Sequence, residues 1–170
     1  MMVLTGPGGS GKTSVSNELA KKYTRFAAIH VDEIKHFVSS GFFYDDSEEG
    51  KKQWVICTEN VIAVAKNFLA DGYTVFIEGF LGNHDRRCWN RLFATLPIKY
   101  KFLLFPEKQE NLDRDVQRIS DDQLGKETVE KHWDFFARKD LFYDFQRIDS
   151  TNMSVEETAD IIFQACSKNE

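Results

Sequence analysis

Cysteine is scarce in this chain and spaced against the usual uses. Cys57, Cys88 and Cys166 are odd in number, far apart and in no C-x2-C arrangement, which excludes a disulfide framework and a cysteine-held zinc site and points to a reducing compartment. A basic excess is missing too. The 22 Lys plus Arg against 27 Asp plus Glu leave a net charge of −5, which argues against a nucleic-acid or anionic-membrane partner and favours small molecules. No apolar run approaches the roughly 20 residues of a membrane span, and no charged-then-apolar leader opens the sequence, so the expected location is cytoplasmic. Repeats, low-complexity tracts and linkers are absent as well. The 170 residues are therefore read as one domain over 1–170, long enough to bury about 70% of its unfolded surface without staples.

What is present is concentrated at the start. Met2 to Leu4 reads as a short buried strand, and it runs into Gly6-Pro7-Gly8-Gly9-Ser10-Gly11-Lys12-Thr13, a complete G-x-x-x-x-G-K-[ST] pattern followed by helix-forming sequence. Strand, glycine-rich loop and helix N-terminus together make a concave anion site, because the permissive glycines let successive N–H groups face one spot that the helix dipole also favours. Gly6, Gly8, Gly9, Ser10, Gly11, Lys12, Thr13 and Ser14 are the expected phosphate contacts. Lys12 is expected to reach the β/γ-phosphates and Thr13 to offer its hydroxyl to Mg²⁺. A flexible linker is the plain alternative, and linkers do not sit between a buried strand and an amphipathic helix.

Hydrophobic periodicity predicts the remaining elements. A first helix runs to about Lys22 with Val15, Leu19 and Ala20 inward, and a strand covers 26–31 with Asp32-Glu33 at its end and a brief helix at 34–38. A long helix covers 54–69, with Trp54, Val55, Thr58, Val61, Ile62, Ala65, Phe68 and Leu69 as its apolar stripe and Asp71-Gly72 as its stop. Strands follow at 73–77, 100–105 and 145–148, and Glu78-Gly79 ends the first of these. A helix over 85–95 is expected to be capped by Asp85, and helical sequence interrupted at Gly125 fills 108–138. Ser154 and Glu157 form a capping box opening a last helix, with Val155, Ala159, Ile162, Phe163 and Cys166 inward. Strands alternating with helices predict an α/β class domain: three-layer α/β/α with a five-stranded parallel sheet. Ligands bind along the edge formed by the strands' C-terminal ends, where the Gly6 loop, Asp32-Glu33, Glu78 and the segment after Ile148 all fall.

Several residues on that edge suit phosphoryl transfer. Asp32 could order the water shell of Mg²⁺ and accept a proton from an attacking hydroxyl, or merely cap the short helix. Glu78, after a buried run, resembles a Walker-B position in the metal shell, or is simply a solvated carboxylate at a strand end. Arg114 and Arg118 lie four residues apart on one helix face and suit phosphate oxygens, although Asp113 and Asp115 offer a bland salt-bridged surface instead. Phe42-Phe43-Tyr44, Asn83, His84, Arg86 and Arg87 are candidates for the substrate side.

The set GPGGSGKT, HVDEIKHF, VFIEGF, NLDRDVQR and Asp149-Ser150-Thr151-Asn152 resembles the P-loop small-molecule kinases, a P-loop NTPase group similar in layout to shikimate, gluconate and chloramphenicol kinases and to AAA-type P-loop kinase-like domains. The resemblance implies an ATP- and Mg²⁺-dependent kinase acting on a hydroxyl of a small molecule, whether sugar, antibiotic or nucleoside-like. It also implies a helical lid around 107–138 whose Arg114 and Arg118 close on ATP, Asp32 beside the acceptor hydroxyl, Thr13, Asp32 and Glu78 around the metal, and, loosely, Thr151-Asn152-Met153 against adenine. Departures narrow it. The Arg/Gly pattern by which adenylate-kinase-like enzymes hold a nucleoside monophosphate is absent, as are a glycine triplet after the third strand and the guanine-reading [NT]-K-x-D. A P-loop ATPase or a polynucleotide-end kinase is the alternative.

Overall fold

All four residues of strand β1 (Met2–Thr5) are buried, so this strand needs cover on both faces. Its alternation supplies two different faces. Met2 and Leu4 pack with Val15, Leu19 and Ile162, while Val3 packs with Val61, Ile62 and Leu92. In the computed structural model, which describes residues 1–43, 45, 47–81, 86–119, 123–138 and 140–167, β1 is central in a five-stranded sheet of order β2-β3-β1-β4-β5. The other strands are β2 (Phe26–His30), β3 (Thr74–Glu78), β4 (Tyr100–Leu104) and β5 (Gln146–Ile148), and every pairing is parallel.

Helices α1 (Lys12–Ala20) and α7 (Val155–Ser167) cover one face, with Phe76, Phe102 and Leu104 turned towards them. Helices α3 (Glu48–Ala70), α4 (Arg86–Thr95) and α6 (Lys126–Phe136) cover the other, against Val75, Ile77 and Leu103. The three-layer α/β/α class is as the sequence predicts. The chain leaves β1 for β2 on one side and later passes from β3 to β4 on the other, so the crevice of a doubly wound sheet opens outside the C-terminal end of β1.

Several boundaries and facings differ from expectation. The helix α2 (Val31–Lys35) starts directly after β2, so Asp32 and Glu33 are in its first turn rather than at a strand end, and His30 rather than Asp32 is its cap residue. The extended run is shorter than its apolar sequence suggests because Val31 is buried from a helical position beside Gly79, where a side chain on the glycine would meet Val31 Cβ at 2.8 Å. Val55, Phe68 and Val155 are exposed at 49%, 37% and 42%, and Ala20 also faces outward, its expected inward place taken by Ser16. These helices bury a narrower stripe than their apolar residues span. The 108–138 segment is two helices, α5 (Lys108–Val116) and α6, with Gly125 at φ 80 immediately before α6. The Ser154–Glu157 box forms as read, each residue's side chain accepting the other's backbone N–H at 3.1 and 2.7 Å. Asp85 lies outside the described residues. Among those described, no helix is long and apolar enough to cross a membrane.

The cysteines Cys57, Cys88 and Cys166 are free and buried. Burial between α3 and the sheet pushes the Cys57 thiol up to about 11, against the pull of Lys35. At pH 8 its thiolate fraction is then about 10⁻³, so iodoacetamide is expected to leave Cys57 unmodified in the native protein and to label it on the timescale of global unfolding. Mass spectrometry of alkylated peptides checks this; labelling that rises with pH between 7 and 9 without unfolding is the contrary result.

Candidate active site

The loop between β1 and α1 is shaped by residues whose backbone an ordinary side chain would strain. Gly9 and Gly11 have φ 83 and 93, which turns the peptide units inward, and Ser10 N–H closes the turn on Pro7 O at 3.3 Å. Lys12 opens α1 and folds back over the loop. Its Nζ donates to Gly6 O at 3.1 Å and Pro7 O at 3.0 Å, the carbonyls of the loop's first half. Burial lowers the proton affinity of this ammonium, and the carboxylates of Glu78 and Asp32 oppose that effect. Lys12 therefore sits between the loop and two acidic side chains from other elements.

Glu78 is the hinge of that arrangement. It ends β3, aligned with Leu4 on one neighbour and His30 on the other, and it is only 5% exposed. Its Oε1 accepts the Thr13 hydroxyl at 2.9 Å and faces His30 Nδ1 at 2.7 Å. The hydrogen bond to Glu78 raises the His30 pKa above its ordinary value despite partial burial. Asp32, whose side chain is 54% exposed, is bound by Lys35 Nζ at 2.9 Å from one turn along α2. Desolvation pushes the Asp32 carboxyl up, but Lys35, Lys12 and His36 together hold it below the usual range. Lys35 itself is 8% exposed, its ammonium 5.5 Å from the Trp54 ring centre and 5.8 Å from that of Phe42.

Magnesium suits this donor set. Among the described residues no group of three or more His, Cys, Asp or Glu could form a metal cage, and Mg²⁺ characteristically uses one or two carboxylates, waters and substrate phosphates instead. Glu78 and Asp32 are hard oxygen donors whose charges act on the Lys12 ammonium, Thr13 Oγ1 is bonded to Glu78, and the buried Ser10 Oγ, without a hydrogen-bond partner among the described residues, lies in the loop itself.

At the other half of the loop a cavity of about 410 Å³ opens between Gly9, Ser10, Gly11, Arg114, Met153 and Thr158, and Ser14 and Arg118 also line it. Arg114 bridges two of its walls, donating to Ser10 O at 3.2 Å and Ser150 O at 2.7 Å, and pairs with Glu110 at 2.7 Å. Arg118 is 3.8 Å from Asp115 and half-exposed. Thr151 and Asn152 do not line the cavity, which Ser150, Met153 and Ser154 do; Thr151 Oγ1 instead accepts the Glu107 N–H at 2.8 Å. The motif NLDRDVQR also turns a second, buried pair inward. Asn111 donates to Gly8 O at 2.6 Å, and the Asp115 carboxylate accepts the N–H groups of Leu124 and Gly125, binding the start of α6. Asn111, His30 and Lys35 are not among the residues the sequence singles out, and Asp115, expected on a salt-bridged surface, is buried instead. Their spacing on α5 (Asn111 and Asp115) and within DEIK (Asp32 and Lys35) was the available signal.

On the expected substrate side, Phe42 packs edge-on against Trp54 at 5.7 Å. Arg87 lines a separate groove between α3 and α4 with Val55, Ile56 and Arg91. Tyr44, Asn83 and His84 lie outside the described residues, as does the side chain of Arg86.

No protein-family model matches the sequence, and no curated protein matches it. Solved structures do match. The chain is similar to a shikimate kinase from Acinetobacter baumannii in complex with shikimate (TM-score 0.71, 16% identity, 99% of this chain and 93% of that one). It is similar to a sugar kinase from Janibacter sp. HTCC2649 (TM-score 0.69, 14% identity, 98% and 93%) and to a tunicamycin resistance protein from Deinococcus radiodurans (0.66, 17%, 97% and 94%). The fold is that of the P-loop small-molecule kinases.

The two arginines of α5 are separable. Hydrogen bonds to charged groups contribute about 1.5–3 kcal/mol net, so Arg114→Ala, which gives up the bonds to Ser10 O and Ser150 O, is expected to cost about 2 kcal/mol of stability and, if the cavity takes a nucleotide, to weaken its binding as well. Arg118→Ala should cost under about 1 kcal/mol, as exposed pairs do, while still weakening nucleotide binding. Urea unfolding with parallel nucleotide titration measures both; equal stability losses would contradict the assignment.

Proposed function

We propose that the chain is an ATP- and Mg²⁺-dependent kinase that transfers the γ-phosphoryl group to a hydroxyl of a small molecule. The observation that carries this reading is the glycine-rich loop itself, with the Lys12 ammonium folded over the carbonyls of Gly6 and Pro7 and the Thr13 hydroxyl bonded at 2.9 Å to Glu78 at the end of β3. Asp32, in the first turn of α2, adds a second carboxylate whose charge acts on Lys12. Phosphoryl transfer asks for positioning and charge stabilisation more than covalent chemistry. Gly6, Gly8, Gly9, Ser10, Gly11 and Ser14 would hold phosphates through the loop and helix start, and Lys12 would draw the charge of the β/γ-phosphates. Thr13, Glu78 and Asp32 would hold the magnesium ion and its waters; the ion supplies charge neutralisation of the phosphate oxygens. Asp32, ionised and exposed, takes the proton of the acceptor hydroxyl.

The cavity beside Arg114, Arg118 and Met153 would receive the nucleoside end, and the segment 107–138 would act as the lid of a single 1–170 domain. An acceptor enters from the other side, past Lys35, Phe42 and Trp54, a wall of apolar rings around a neutralised ion pair. The small-molecule neighbours in the structural comparison support this class of acceptor. The free buried cysteines fit a cytoplasmic setting.

A thermal-shift screen of hydroxylated metabolites with a non-hydrolysable ATP analogue identifies the acceptor, since ligands of the folded state raise the melting temperature. With it in hand, Asp32→Asn is expected to keep nucleotide affinity and slow transfer by roughly 10²–10⁴. Glu33→Gln, about 100° further round α2, should have little effect. Lys12→Ala should lose about 3–4 kcal/mol of transition-state stabilisation while remaining folded. Parental turnover in Asp32→Asn or Lys12→Ala would sink the mechanism.

A further inference from the structure

Gly8 lacks a side chain where two residues from the α5–α6 region crowd the phosphate loop. A Cβ built on Gly8 would collide with Leu124 Cδ1 and lie 3.0 Å from His132 Nδ1 and 3.7 Å from His132 Cε1. The imidazole thus turns its Nδ1–Cε1 edge to the loop. On its other flank its ring packs on Phe80 at a centroid distance of 4.3 Å, and Phe80 is two residues past Glu78. His132 stands between the phosphate loop and the end of β3.

That position is held from three sides. The Asp115 carboxylate binds the backbone at Leu124 and Gly125, fixing the start of α6. Phe136, fully buried, fixes its end in the core, and Trp133 Nε1 donates to Pro106 O at 2.9 Å. Asn111 ties Gly8 O to α5 at 2.6 Å, so loop and helix share one support.

The two halves of the loop serve different ends of a nucleotide. Lys12 Nζ lies over the carbonyls of Gly6 and Pro7, while the cavity for the nucleoside opens at Gly9, Ser10 and Gly11. Gly8, next to Pro7, belongs to the half that faces the terminal phosphate. Arg114 is committed to Ser10 and Ser150 on the nucleoside side.

We propose that His132 is a catalytic residue, donating a hydrogen bond to the phosphoryl group in flight; the inference rests on the kinase reading above. The acceptor oxygen bonds to the γ-phosphorus as the bond to the bridging oxygen breaks, ADP leaves with that electron pair, and Asp32 takes the acceptor proton. His132 keeps its own proton. The Nδ1–Cε1 edge faces Gly8 in the half of the loop beside Lys12, and a donor there would act on the transition state more than on bound nucleotide.

The test compares binding of MgADP with binding of MgADP plus aluminium fluoride, a mimic of the phosphoryl group in flight, alongside basal ATP hydrolysis with water as acceptor. In His132→Ala, MgADP affinity is expected to stay within about twofold, while the added affinity from aluminium fluoride and the hydrolysis rate each fall about 10²-fold. His132→Gln, which retains a donor, recovers part of both and serves as the deciding variant if His132→Ala does not fold. A parental aluminium-fluoride gain in His132→Ala, a gain in His132→Gln no larger than in the donor-free His132→Leu, or an MgADP loss that accounts for the whole effect, overturns the role of His132 alone. If the parent binds no nucleotide and hydrolyses no ATP, the kinase reading falls and this role with it.

Discussion

A buried carboxylate at the sheet's C-terminal edge constrains everything around it. Glu78 cannot be left at 5% exposure without partners, because an isolated buried charge is far costlier than a paired one. Its partners come from two other elements: Thr13 from the start of α1 and His30 from the end of β2, both on Oε1. Satisfying one oxygen therefore fixes the phosphate loop's exit and the entry into α2. Thr5 does the same with neutral groups, donating to Gly79 O at 2.9 Å and accepting the Leu81 N–H at 3.0 Å. The apolar layers decide which helices cover the sheet; these polar ties decide how its ends are aligned with one another.

Helix α5 repeats that logic across a longer span. Asn111 and Asp115, four residues apart, occupy its buried side, and each satisfies backbone groups of another segment. One holds the loop and the other holds the start of α6. The side chains at Gly8, Leu124 just before α6 and His132 within it, come from more than a hundred residues away in sequence, and the glycine's missing Cβ is the room they use.

The layered fold was legible because its signals are local. The glycine-rich motif, the two-faced burial of β1 and the Ser154–Glu157 box each depend on a handful of neighbours. The start of α2 was not, since FAAIHV reads as one extended run and only the approach of Val31 to Gly79 favours an early helix. The facing of NLDRDVQR was similarly hidden. Arg114 and Arg118 share a spacing with Asn111 and Asp115, and the contact that turns the second pair inward is to Gly8 O, 103 positions away. Within KHWDFF nothing marks His132, whose place follows from the packing of Phe80 and Phe136. Of Thr151-Asn152-Met153, set against adenine by resemblance, Met153 lines the cavity while the Thr151 hydroxyl accepts a backbone N–H at the start of α5.

These ties also set the state in which Lys12 waits. Its ammonium is bonded to two carbonyls of its own loop, so on the proposed kinase reading a nucleotide phosphate would replace neutral acceptors rather than strip water from an exposed lysine. Burial lowers its proton affinity, and Glu78 and Asp32 restore part of it. Glu78 thus acts twice, orienting Thr13 by a hydrogen bond and helping to keep Lys12 charged. A phosphate entering the loop adds negative charge on the same side and strengthens the protonated form further. On the proposed kinase reading, a Lys12 donor already bonded within the loop would meet the phosphate in a site whose dipoles need little rearrangement, which is the condition under which electrostatic stabilisation of a transferring group is largest.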